Sequence, residues 1–160
     1  LFINSGIRLS ELVGLNYTDI DRQGNVVIRG KGSKERRIIF NKTCLEALAE
    51  YEKFKEIHYQ NKEYDRDAVF IGRTGKRLTA RRIEQIVKQR ITAAGFGERA
   101  LSPHKLRHTA ATVMYRRGVD IRALQQILGH ESLGTTQIYT HVSDAQITEA
   151  MTQSPIGRTN

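Results

Sequence analysis

Apolar positions change period several times along the chain, and each change marks an element. LFINSG (1–6) reads as a short helix that Gly6 can end, and Leu9, Leu12, Val13 and Leu15 carry a second helical stripe. The period then drops to two. NVVIR (25–29) and ERRIIF (35–40) are β-rich runs joined by GKGS, which predicts an antiparallel hairpin with Lys31 at its tip. Thr43 and Glu46 have capping-box spacing, and Leu45, Leu48, Ala49 and Phe54 predict the apolar face of a helix reaching about residue 58. AVFIG (68–72) reads as a short strand. Thr79 is expected to cap a helix through about Ala94, with Ile83, Ile86, Val87 and Ile91 inward. Ser102-Pro103 is a helix start, serine as N-cap and proline at the first helical position, and Gly118 is its stop. Asp120 opens a further helix ending near Gly129. A short helix is expected near 133–139, and Ser143 with Gln146 opens a last one bearing Ile147, Ala150 and Met151. The predicted fold class is α+β, mostly α, with a small antiparallel sheet at one edge.

Composition narrows the function classes. The 160 residues are 39% hydrophobic and 27% charged, the balance of one globular domain. The single cysteine, Cys44, excludes an internal disulfide framework and a multi-cysteine zinc site. No apolar run approaches the roughly 18 residues of a membrane span, and no signal peptide opens the chain. A cytoplasmic setting is therefore expected. The chain opens at Leu1 inside a helical pattern, so we expect a fragment of a longer protein.

Lys and Arg number 26 against 17 Asp and Glu, a net charge of +9, and an anionic partner is expected, nucleic acid first. The charge is segregated. Residues 29–37 carry five basic and one acidic side chain, 73–90 seven and one, and 99–122 six and one, whereas 46–67 carry four basic and seven acidic. This distribution suggests a basic working face and a solvated back.

His104 and Arg107 stand three apart at a helix start, where backbone N–H groups favour an anion and disfavour imidazolium. A phosphate site with a neutral, proton-accepting His104 is one reading; a polar helix-start residue is the other. His104 and His108 also have a metal-compatible spacing, but a third ligand is lacking and an arginine lies between them. No metal or cofactor is expected. In ILGHESLGTTQIYTH, Tyr139 follows His130 by nine residues. A phenol with a pKa near 10 attacks only where a base or a positive field assists it, and a lone tyrosine on a short amphipathic helix is as readily half-buried core.

SGIRLSELVGL, GKGSKERR, LSPHKLRHTAAT and LGHESLGTTQIYTH, in this order, resemble the catalytic domain of the tyrosine recombinases, above all bacterial Xer-type recombinases and phage or transposon integrases. The likeness runs from about residue 1 to 152. It implies a six-residue active site: Arg8, the hairpin lysine Lys31, His104, Arg107, His130 and the nucleophile Tyr139, with Glu11 in a supporting role. It also implies a domain spanning 1–160 that lacks the family's N-terminal DNA-gripping (core-binding) domain. The segment 143–160 would form a helix and tail docking on a neighbouring protomer. The partner would be double-stranded DNA, with a monomer in solution and a tetramer on synapsed duplexes.

The resemblance makes chemical sense of the residue types. Two permanently charged guanidiniums suit the non-bridging oxygens of a phosphodiester under attack. Lys31 would protonate the departing 5′-oxygen and His104 would take the proton of Tyr139. The resulting 3′-phosphotyrosine keeps the bond energy, so rejoining needs neither ATP nor metal. The remaining cations, Arg29, Lys34, Arg36, Arg37, Arg73, Lys76, Arg77, Arg81 and Arg82, are candidates for DNA-backbone contacts. Two alternatives stay open: a non-catalytic helix-turn-helix-like DNA-binding module over 105–129, and strand relaxation of the type IB topoisomerase kind.

Overall fold

The computed structural model describes residues 1–30, 35–99 and 101–129. Helix α1 (Phe2–Ser5) ends at Gly6, whose left-handed backbone, φ 62°, turns the chain into α2 (Leu9–Gly14). A 3-10 turn (Tyr17–Asp19) leads to strands β1 (Asn25–Arg29) and β2 (Glu35–Ile39). Four helices follow: α3 (Lys42–Tyr59), α4 (Ala80–Ile91), α5 (Pro103–Arg116) and α6 (Ile121–Leu128). The mostly helical reading with one small antiparallel sheet therefore holds.

The strands pair in the register Asn25↔Ile39 to Arg29↔Glu35. Their alternation places Val26, Ile28 and Ile38 on the buried face, where they meet Phe2, Ile7, Leu12, Leu15, Phe40, Val69 and Ile83. A second cluster joins α5 to α6 through Ala111, Leu124 and Leu128. Burying one such side chain contributes roughly 1.5–3 kcal/mol. Leu106 and Ile127, from α5 and α6, also pack against the first cluster and so join the two.

Three caps form as the sequence predicts. Thr79 Oγ1 accepts from the N–H of Arg82, Ser102 Oγ from Lys105, and Asp120 Oδ1 from Arg122 and Ala123. Other expectations are corrected. The cap of α3 is Asn41, whose Oδ1 accepts from the N–H of Cys44, so the helix starts before Thr43 can act as its cap. Ala49 and Phe54 are exposed; the inward stripe of α3 is Cys44, Leu48, Tyr51, Lys55 and Tyr59. Lys55 can lie in that stripe because its ammonium donates to Tyr17 Oη at 2.8 Å and sits 4.3 Å from the centre of the Tyr17 ring. Residues 68–72 form only isolated bridges, Asn16↔Ala68 and Ile71↔Arg77, rather than a strand of the sheet. Helix α4 stops at Ile91, and a widened turn, Thr92–Phe96, contains Gly95 at φ 82°. The helices expected at 133–139 and 143–152 lie outside the described residues.

Candidate active site

Three arginines from three elements meet at the C-terminal end of α6. The last carbonyls of a helix have no partner within it and carry its negative end. Here Arg36 Nε donates to Ile127 O at 2.9 Å, Arg107 Nη2 to Leu128 O at 2.5 Å, and Arg8 Nη2 to Gly129 O at 2.6 Å. Three successive carbonyls thus take three guanidiniums. Arg107 also donates to Gly6 O, just ahead of Arg8. Arg8 and Arg107, 99 positions apart in sequence, are therefore brought to adjacent carbonyls.

Each side chain arrives for a local reason. Arg8 is the N-cap residue of α2, extended at φ −75° and ψ 154°, and stays partly exposed. Arg107 follows the Ser102-Pro103 start by one helical turn and faces α1, with 6% of its surface exposed. Arg36 lies on β2 two residues before Ile38, on the same face of the sheet, which directs it inward. Gly129 ends α6 at φ 61°, and a side chain there would meet Arg36 Cδ at 2.9 Å. Backbone freedom and close approach both require glycine at that position.

Glu11 organises the cations. Its carboxylate accepts from the Arg8 backbone N–H at 2.7 Å and from Arg8 Nη1 at 2.8 Å. It also takes Arg36 in a fork, Nη1 at 2.6 Å and Nη2 at 2.8 Å. Burial pushes the Glu11 pKa up, but the hydrogen bonds from Arg36 and Arg8, with the Arg36 charge, outweigh it and hold the pKa at about 2. The carboxylate is ionised at any physiological pH.

The other expected residues divide by exposure. His104 is exposed in the first turn of α5. Lys31, Lys34, His130 and Tyr139 lie outside the described residues. Among the backbone-contact candidates, Arg37, Arg73, Lys76, Arg81 and Arg82 are exposed. Arg29 is exposed too but is engaged by the buried Asp19 and by Glu35, which raises its pKa. Two candidates have partners within the fold. Arg36 is committed to Glu11 and α6. Arg77 donates to Val13 O and Leu15 O, each at 3.0 Å, and to Asn16 Oδ1 at 2.5 Å, tying the end of α2 to the loop before α4. Arg77→Ala should therefore cost about 3 kcal/mol in urea denaturation, whereas Arg81→Ala should stay within about 0.5 kcal/mol of wild type.

The carbonyls of residues 127–129 are the part of the site that the sequence reading missed. Gly129 was legible as a helix end, but nothing in the pattern says that three arginines converge on it.

The chain matches the family model described as the phage integrase family over residues 1–146, and it belongs to that family. It is 42% identical over 159 residues to the tyrosine recombinase XerC of Caldanaerobacter subterraneus subsp. tengcongensis, covering 99% of this chain and 44% of that protein. It is 44% identical over 155 residues to XerC of Corynebacterium efficiens, covering 96% and 48% respectively. The chain thus spans about half the length of the curated relatives it matches. Among solved structures, XerA recombinase superposes with a TM-score of 0.79 at 35% identity, over 95% of this chain and 54% of that one. XerH site-specific recombinase bound to its difH substrate gives 0.78 at 29%, over 95% and 44%. The catalytic domain of bacteriophage HP1 integrase shares the fold, with a TM-score of 0.65 at 19% identity, over 97% and 79%.

Proposed function

We propose that this chain is the catalytic domain of a site-specific DNA recombinase that cuts and rejoins strands through a 3′-phosphotyrosine. The observation that carries the reading is the convergence of Arg8 and Arg107 on neighbouring carbonyls at the end of α6, one residue before His130. Two guanidiniums held that close are suited to the two non-bridging oxygens of one phosphodiester. Tyr139 attacks the phosphorus and its proton goes to His104. The bond to the 5′-oxygen breaks and that oxygen takes a proton from Lys31. Arg8, Arg107 and His130 hold the charge that builds on the phosphoryl oxygens. The reverse attack by a 5′-hydroxyl restores the backbone, with the same groups exchanging protons in the opposite sense.

The net charge of +9 and the exposed arginines around α4 support duplex DNA as partner. The same reading includes a tetramer on synapsed duplexes, a C-terminal segment docking in trans, a further DNA-gripping domain ahead of this one, and a place on DNA in the bacterial cytoplasm. Among the described residues, no helix is long and apolar enough to cross a membrane. The helix-turn-helix alternative over 105–129 gives no reason for Arg8, from the far end of the chain, to be held on the carbonyl next to the one that takes Arg107.

The test is a nicked suicide duplex built on the sequence the protein selects from a random pool. Wild type should become covalently joined to the 3′ end at the nick, and Tyr139→Phe should leave no adduct. An adduct that survives Tyr139→Phe removes this tyrosine as nucleophile; supercoil relaxation without recombinants would point to the topoisomerase-like reading.

A further inference from the structure

Arg36, one of the candidates for the DNA backbone, is held in a fork by Glu11. Arg8, Glu11 and Arg36 form one cluster, since the Glu11 carboxylate bridges Arg8 Nη1 at 2.8 Å and the Arg36 fork at 2.6 and 2.8 Å. The cluster carries two positive charges and one negative, a net +1. Arg36 is well shielded, with 14% of its side chain exposed, and its Nε donates to the carbonyl of Ile127. Arg8 is the outer cation, 38% exposed, and faces the end of α6. Without Arg36 the pair Arg8–Glu11 would be neutral, and the carboxylate would compete directly with a phosphate for the one guanidinium left.

We propose that Arg36 is a positioning residue that neutralises Glu11, so that the charge of Arg8 stays available to an incoming DNA phosphate. The inference rests on the reading of Arg8 as a phosphate-binding residue and adds a role to a side chain bonded to Glu11 and to the end of α6. It explains why an arginine occupies the inward face of a β-strand beside Ile38. A hydrophobe there would pack, but would leave the carboxylate facing Arg8 alone. The guanidinium plane suits the position because its fork reaches both carboxylate oxygens while Nε reaches the helix carbonyl.

Charge balance and mechanical bracing make opposite predictions for a double variant. Arg36→Gln leaves Arg8–Glu11 neutral and should slow adduct formation on the suicide duplex by about a hundredfold, the scale of losing one donor to the phosphoryl oxygens. Adding Glu11→Gln restores the net charge of the cluster to +1 and should recover at least about tenfold of that loss, one pair of groups being coupled to the other. Arg36→Lys, which keeps the charge but loses the fork, should cleave within about tenfold of wild type. Circular dichroism and urea unfolding establish that each variant is folded. A double variant no faster than folded Arg36→Gln would make Arg36 a mere brace and overturn the proposal, as would an Arg36→Gln protein that cleaves like wild type. If Arg36→Gln does not fold, Arg36→Lys decides: near-wild-type cleavage supports charge balance, and a hundredfold loss overturns it. Wild type run in parallel separates the two levels of inference, because a wild-type protein that forms no adduct removes the recombinase reading and this proposal with it.

Discussion

Arg107→Ala is expected to be the most damaging single substitution in the described part of the chain. Arg107 is buried and its guanidinium donates to Gly6 O and Leu128 O. Truncation leaves both carbonyls in a space that water does not fill well, at a cost of about 3–5 kcal/mol, a large part of the 5–15 kcal/mol by which domains are stable. Urea unfolding followed by far-UV circular dichroism should show the loss. Such a variant says little about catalysis, because the fold fails with the site. Arg107→Lys separates the two. It keeps a charge and can reach one carbonyl, so it should lose only about 1–2 kcal/mol of stability. It cannot present two parallel donors to a phosphate, so adduct formation should fall by about 10²–10³. Full cleavage by a folded Arg107→Lys protein would show that this guanidinium does not stabilise the transition state.

The same residue shows what the sequence could and could not disclose. Ser102-Pro103 set the helix start, and counting from it placed Arg107 one turn in. Two partners of Arg107, Gly6 and Leu128, are 101 and 21 residues away, and no local pattern specifies such a meeting. Arg36 is the opposite case. Its inward direction was legible, since Ile38 and Phe40 fix the buried face of the strand and period two puts Arg36 there as well. A run of cations draws the eye to charge, and the alternation beneath it is overlooked. Arg77 had no such signal, because its acceptors are main-chain carbonyls and the side-chain oxygen of Asn16, brought near by a loop. In α3 the apolar residues themselves misled. Phe54 and Ile57 lie outward at 62% and 77% exposure, while a lysine takes an inward position because a tyrosine hydroxyl and a ring receive its ammonium. Hydrophobic periodicity is a reading of average burial, and a paired cation among aromatics breaks it.

Acid should loosen the site through Glu11. Its carboxyl has a pKa of about 2 in the folded protein against an ordinary value of 4.5, because Arg36 and Arg8 reward the ionised form more than burial penalises it. The folded-state pKa is depressed, so the carboxylate's contribution is fully present above pH 4.5 and is lost as the pH falls through about 2. The shift corresponds to about 3 kcal/mol. Wild type and Glu11→Gln, unfolded in urea at a series of pH values, isolate this residue from the other carboxylates. Wild type should be the more stable by about 3 kcal/mol at pH 6, and the difference should shrink as the pH falls from 4.5 towards 2. Added salt should change the difference little, because the fork is shielded from solvent and screening acts mainly on exposed charges. Protonation at Glu11 also leaves Arg8 and Arg36 as like charges either side of a neutral group, both already bonded to the end of α6. The first acid-induced change should therefore be separation of β2 and α2 from α6, seen as early hydrogen exchange at the amides of residues 124–129 while those of Val26 and Ile28 stay protected. A stability difference that is flat with pH would mean that the two arginines do not hold this carboxylate in its ionised form.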